Sequence, residues 1–146
     1  MKKKEKTKIM RLGDIVYSES ALTNLSKKHF SNFSVVYKLA MLLKATEEKT
    51  KFYLEQEKIL AEKYSMKDEK GNIKTTSDGR LFFQSVELKK NFDSEIKKLQ
   101  DTEIDDLNIV EIKESSFLSR DDYPTPEEVI KLSGVVEFIF DSPTKA

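Results

Sequence analysis

Thirty-one consecutive residues without glycine or proline, residues 34–64, dominate the first half of the chain. They are rich in leucine, alanine, lysine and glutamate, whose side chains lose little conformational entropy in a helix. Asn32 or Ser34 can cap the start, and Asp68 and Gly71 supply the stop signal. At about 1.5 Å per residue, this pattern predicts a helical rod of about 45 Å on which the remaining segments must pack.

Apolar residues step by three and four along this helix and form a seam with polar breaks. The first half of the helix is apolar over a wide arc, so we expect the chain's own elements to bury it. The narrower second half, with Tyr53, Leu60 and Tyr64 as candidate partner-binding residues, needs either a later helix or a second copy in a coiled coil. The seam consists of Val36, Leu39, Leu43, Thr46, Thr50, Tyr53, Glu57, Leu60 and Tyr64.

Two later segments also have helical spacing. Ser85 can cap a helix to about Gln100, and its single apolar stripe is the natural intramolecular partner of the seam. A capping box at Thr125 opens a final helix, which the spacing predicts to continue over residues 125–140 and to stop before Pro143. The stripe consists of Leu88, Phe92, Ile96 and Leu99.

The remaining segments complete an α+β prediction. Residues 9–12 and 107–112 are predicted strands, and a helix capped by Asp14 is predicted to extend to about Lys28. We therefore predict one long central helix packed by two or three shorter helices and a small antiparallel sheet, forming a single domain over residues 9–146. Residues 1–8 are lysine-rich and are predicted to be a disordered basic tail.

A hairpin is predicted where residues 73–76 and 80–83 flank Ser77-Asp78-Gly79. Arg80 is one of three arginines, and arginine is preferred for gripping carboxylate or phosphate. It stands beside Phe82 and Phe83, so these three residues are the candidate ligand-binding set for an anionic aromatic molecule. A plain strand-end arginine remains the alternative.

Charge is balanced overall but unevenly distributed. The chain has 26 basic and 26 acidic residues, yet residues 101–128 hold ten acidic residues against two basic ones. Such asymmetry suits docking of an acidic face on a basic one, within the chain or between molecules. No arginine-rich run interleaved with aromatic residues is present, which argues against a nucleic-acid partner.

The residue types for common chemistry are largely missing. Cysteine is absent, which excludes disulfides and thiolate sites, and His29 is the only histidine. No glycine-rich phosphate loop or Gly-x-Ser-x-Gly elbow occurs, and adjacent carboxylates are expected by chance among 26 acidic residues. No apolar run approaches the roughly 18 residues of a membrane span. The sequence therefore predicts a non-enzymatic protein without catalytic residues, metal, cofactor or membrane contact.

A resemblance narrows the biological setting. YKLAMLLKATEE at residues 37–48, EQEKILAEKY at 55–64 and KDEKGN at 67–72 resemble a family of small uncharacterised proteins from tailed phages and prophages of Gram-positive bacteria. The similarity covers residues 8–140, and PEEVIKL at residues 126–132 fits its closing helix. That family has no established catalytic motif, so the resemblance implies no site residue.

The resemblance implies a phage gene product in the cytoplasm of a host bacterium. The leading hypothesis is a binding protein that blocks a host defence complex by contacting a host or phage protein. One alternative is an oligomer that sequesters an anionic nucleotide-like molecule near Arg80, Phe82 and Phe83. Another is a protein of virion or tail assembly.

Overall fold

The long helix predicted from the sequence is present, and two other helices pack directly on it. The computed structural model describes residues 9–141, so the predicted tail at residues 1–8 lies outside the described residues. The α+β prediction is confirmed. The helices are α1 (Leu12–Leu25), α2 (Phe33–Tyr64), α3 (Val86–Gln100) and α4 (Pro126–Leu132). The strands are β1 (Met10–Arg11), β2 (Glu103–Ile104), β3 (Val110–Lys113) and β4 (Val136–Ile139).

The start of α2 is capped as expected. The side chain of Asn32 accepts a hydrogen bond from the backbone amide of Ser34, with a nitrogen–oxygen distance of 2.8 Å. This bond satisfies one of the amides that a helix leaves unpaired at its first turn. The first half of α2 packs on α1 and its second half on α3, so the prediction of an intramolecular partner for the seam is confirmed.

The buried face of α2 takes members of both apolar rows seen in the sequence. Leu39, Thr46, Thr50 and Tyr53 of the predicted seam are buried, whereas Val36 is exposed. The face therefore turns by about one residue relative to the predicted seam in the first half of the helix. The buried residues of α2 are Val35, Leu39, Leu42, Thr46, Thr50, Tyr53 and Ala61.

Thr46 has a buried hydroxyl without a hydrogen-bond partner within residues 9–141. An unsatisfied buried polar group costs about 1–3 kcal/mol, so Thr46→Val should raise the free energy of unfolding by about 1 kcal/mol. Chemical denaturation measures the change. Thr23→Val is the matched control, because the Thr23 hydroxyl donates to the carbonyl of Glu19 at 3.0 Å and its removal should bring no gain. A loss of stability in Thr46→Val would indicate that the Thr46 hydroxyl does have a hydrogen-bond partner.

Between α2 and α3 the chain makes two successive turns, and the predicted hairpin is present as a single antiparallel bridge between Thr75 and Leu81. Three residues spaced eight apart are joined by three backbone hydrogen bonds in a closed ring: Met66 donates to Phe82, Phe82 to Lys74 and Lys74 to Met66. Gly71 and Gly79, also eight apart, have φ of 86° and 87°, a conformation that glycine adopts without steric cost. Residues 65–85 therefore form a small, hydrogen-bonded connection between the end of α2 and the start of α3.

The final helix is shorter than predicted. The capping box at Thr125 is present, but α4 ends at Leu132 and the following residues form β4, so the predicted helix over 125–140 is wrong beyond that point. Gly134 allows the chain to pass close to Asp14 of α1, and Val135 and Val136 are buried as part of the core. Apolar residues spaced three and four apart matched a helix, while β-branched and aromatic residues favoured a strand.

The strands form two separate pairs. β1 and β2 are antiparallel, with Met10 opposite Ile104, in line with the predicted antiparallel sheet. β3 and β4 are parallel, with Val110 opposite Val136, which the sequence did not predict. Parallel neighbours require a long crossover connection, and the segment containing α4 supplies it. This crossover brings the loop before α4 against the end of β4.

Candidate functional site

The crossover leaves a cleft of about 190 Å³ at the parallel strand pair. Phe117 forms its floor. The Phe117 ring lies 5.5 Å from the Tyr123 ring in an edge-on arrangement and 6.3 Å from the Phe138 ring in a stacked one, measured between centroids. Such geometries stabilise aromatic pairs beyond the burial of their area. The lining residues are Ile112, Glu114, Phe117, Tyr123, Pro124, Val129, Phe138, Ile139 and Phe140.

Large apolar side chains remain exposed at and beside this cleft. Phe140 is 91% exposed, and Leu118 and Ile130, each next to a lining residue in the chain, are 65% and 64% exposed. A fully buried phenylalanine contributes about 1.5–3 kcal/mol relative to an exposed one, so leaving Phe140 in water forgoes this gain. Exposed apolar groups around a concavity are typical of sites that bind another molecule.

One polar contact lies inside the cleft. The Tyr123 hydroxyl donates to a Glu114 carboxylate oxygen at 3.3 Å. Burial raises the pKa of Tyr123, and the negative charge of Glu114 raises it further. The hydroxyl is therefore protonated at neutral pH and acts as a donor, so it orients the ring rather than supplying a base.

Two carboxylates next to lining residues of the cleft, Asp122 and Asp141, form hydrogen bonds to other segments of the chain. Asp141, after β4, accepts hydrogen bonds from the amide and hydroxyl of Ser115, and these bonds lower its pKa. Asp122 accepts a bond from the backbone amide of His29 at 3.1 Å and contacts its ring, which lowers the pKa of Asp122. Both carboxylates are ionised well below pH 7. Their hydrogen bonds therefore hold Asp122 against His29 and Asp141 against Ser115 at neutral pH.

Within residues 9–141, few side-chain pairs connect the acidic segment, residues 101–128, to the residues that precede it. Besides the His29–Asp122 contact, Lys97 of α3 pairs with Asp101 at 3.3 Å. Lys49 on α2 pairs with Asp106 at 3.0 Å, and this hydrogen bond lowers the pKa of Asp106. In each of these pairs at least one of the two side chains is largely exposed. Most of the negative charge of residues 101–128 therefore remains at the surface, and one of these carboxylates, Glu114, lies in the lining of the cleft.

The residues predicted for an anionic ligand do not belong to this cleft. Arg80 pairs with Asp78, its Nε lying 3.1 Å from a carboxylate oxygen, and its side chain is 81% exposed. The Phe83 ring packs on Phe92 of α3 at 5.2 Å, whereas Phe82 lies under the Lys74 ammonium at 5.1 Å. The two rings point to different neighbours, so the three residues do not converge on one pocket.

The predicted partner-binding residues on α2 have different environments. Tyr53 is buried against α3, and its hydroxyl accepts a hydrogen bond from Gln100 at 3.2 Å, which corresponds to the alternative that a later helix covers this part of the seam. The stripe on α3 occupies that part of the seam. Leu60 and Tyr64 are half-buried, and for them partner binding stays a prediction.

No other chemical centre emerges from residues 9–141. Within that range, no three or more His, Asp or Glu side chains cluster so as to hold a metal ion. None of the helices there combines the length and the apolar character that a membrane crossing requires. Comparison with protein-family models, with curated proteins and with solved structures gives no match for this chain.

The cleft escaped sequence reasoning because its lining comes from four separate segments. The one local signal was the run from Phe138 to Phe140, which places three large apolar residues at the end of a short element. The apolar spacing placed this run in the helix predicted over residues 125–140. Assigned to a strand end, Phe140 stands outside the core, and its exposure becomes visible only in the structure.

Proposed function

We propose that this protein is a non-enzymatic, phage-encoded binding protein that uses the cleft beside β4 to dock on another protein in the host cytoplasm. The 91% exposure of Phe140 at the edge of an apolar cleft carries the proposal. Aromatic anchors in apolar pockets supply most of the energy in many protein interfaces. Blocking of a host defence complex is the proposed consequence of this docking.

The partner is proposed to present an apolar side chain flanked by basic residues. The apolar lining favours the former, and Glu114 in the lining, with Glu127 and Glu128 immediately before the lining residue Val129, favours the latter. Opposite charges around an apolar centre raise the association rate and exclude like-charged competitors. A nucleotide-like anion is disfavoured at this cleft for the same reason, because Glu114 lies in its lining.

The test uses the chain expressed in a bacterium that restricts a phage. Wild-type protein should restore phage plating and retain a stoichiometric host protein on purification. Phe140→Ala should weaken that complex at least about tenfold, as expected for an interface anchor. Phe33→Ala is the matched control, because Phe33 is 77% exposed at the start of α2 and should leave binding unchanged.

Three results would count against the proposal. Equal binding by wild type and Phe140→Ala would show that the cleft is not part of the interface. A co-purifying small anion lost in Arg80→Ala would favour the sequestering alternative. Stoichiometric presence of the chain in purified virions would favour an assembly role instead.

A further inference from the structure

The face of α2 that points away from the core carries a second apolar row. We call Tyr37, Met41, Phe52 and Ile59 the outer row. At about 100° per residue they fall within an arc of about 60°, on the side of the helix opposite the buried face. Their exposed fractions are 57%, 49%, 48% and 53%, so none of them is covered by α1 or α3.

Charged residues along one flank of the outer row alternate in sign. Lys44, Glu48, Lys51 and Glu55 are all exposed. They are arranged symmetrically about a point between residues 49 and 50, with opposite signs on the two sides. If two copies of α2 lie antiparallel about that point, Lys44 meets Glu55 of the second copy and Glu48 meets Lys51. A parallel arrangement in register would instead place each charged residue beside the same residue of the second copy, so that like charges would repel.

We propose that two copies of the chain associate through the outer rows of α2 in an antiparallel arrangement. The register set by the charges also brings Met41 within one residue of the level of Ile59 of the second copy and places the two Phe52 residues on either side of the twofold axis, about 8 Å apart along the helix. Met41, Phe52 and Ile59 thus lie near apolar side chains of the second copy, Tyr37 lies level with Glu62, and each ion pair occurs twice. This association is independent of the proposed function, because the cleft beside β4 and the outer row share no residue.

The dimer is expected to be weak and dependent on concentration. The outer row spans residues 37–59, about 33 Å of helix, and a single helix pair of that length lies at the low end of stable interface sizes. On the other flank the same register places Lys38 near Lys63 of the second copy, so that flank adds no attraction. Two clefts carried by one dimer would allow bivalent binding of a partner.

Sedimentation velocity over a concentration series tests the association with the full chain. Wild type should shift from the monomer to the dimer coefficient as concentration rises. Ile59→Ala should move the midpoint at least about tenfold higher, as for an interface contact worth 1.4 kcal/mol or more. Leu54→Ala is the matched control, since Leu54 is 54% exposed on α2 but lies off the outer row. A monomer at every concentration, or equal effects of the two variants, would overturn the proposal.

The orientation is tested by cross-linking, for which the absence of native cysteine gives a clean background. Met41→Cys mixed with Ile59→Cys should form a disulfide-linked pair under mild oxidation, whereas Met41→Cys alone should form little. A parallel pairing reverses this result, because each Met41 would then lie beside its own equivalent. Folding of both variants is verified by circular dichroism before oxidation. Strong cross-linking of Met41→Cys alone would therefore overturn the antiparallel arrangement.

Discussion

Leu22→Ala should lower the free energy of unfolding by about 2–5 kcal/mol, the largest effect that we expect from a single substitution in this chain. Leu22 is fully buried on α1, which packs against α2, α3 and α4. Truncation removes apolar contacts and leaves a cavity that three helices cannot easily close. Since domains of this size have a total stability of about 5–15 kcal/mol, the variant should be close to unfolding at 37 °C.

Chemical denaturation monitored by circular dichroism measures this loss. Tyr17→Ala is the matched control on the same helix, because Tyr17 is 57% exposed and its truncation should change stability by no more than about 0.5 kcal/mol. Similar losses in the two variants would contradict the packing of α1 at the centre of the helices. A small loss in Leu22→Ala alone would mean that the core around it rearranges to fill the space.

Gly134→Ala should lower the free energy of unfolding by about 1–3 kcal/mol, because an added methyl group would overpack the contact between α1 and the turn after α4. A Cβ atom at residue 134 would lie 2.7 Å from Cβ and 3.0 Å from Cγ of Asp14. The turn must therefore move away from α1, which pulls Val135 from its fully buried position. Thermal or chemical denaturation measures the loss.

A double-mutant cycle separates this clash from a general effect of alanine at residue 134. The three nearest atoms to the added methyl group all belong to Asp14. Asp14→Gly removes them, so the double variant should be more stable than the sum of the two single losses by at least about 1 kcal/mol. Strict additivity would show that Gly134 is needed for another reason.

Much of the helical architecture could be predicted from local sequence. The start of α2 at Asn32, the cap of α3 at Ser85 and the capping box at Thr125 are all present, because each depends on a side chain bonding to an amide within three residues. The pairing of α2 with α3 was also predicted, since an amphipathic stripe must be buried against another apolar surface.

The ends of elements and their partners were less predictable. Residues 129–140 satisfied helical spacing up to Phe140, yet the chain leaves the helix at Leu132, where a parallel pairing with β3 buries Val136. Tyr53 had the pattern of a partner contact until α3 covered it. In both cases the local pattern allowed two structures, and a contact distant in the chain selected one of them.

The predicted cap of α1 at Asp14 is wrong, because α1 begins at Leu12 without a side-chain cap. The sequence by itself determined where α2, α3 and α4 begin, that one helix would be long, and that negative charge would concentrate between residues 101 and 128. These are local properties of hydrogen bonding, side-chain entropy and charge. Only the tertiary structure decided which face of α2 would be buried, that β3 and β4 would be parallel, and that Phe117, Tyr123 and Phe140 would meet at one cleft. Burial and strand pairing join residues distant in sequence, so their energies depend on the whole arrangement and cannot be assigned to any one segment.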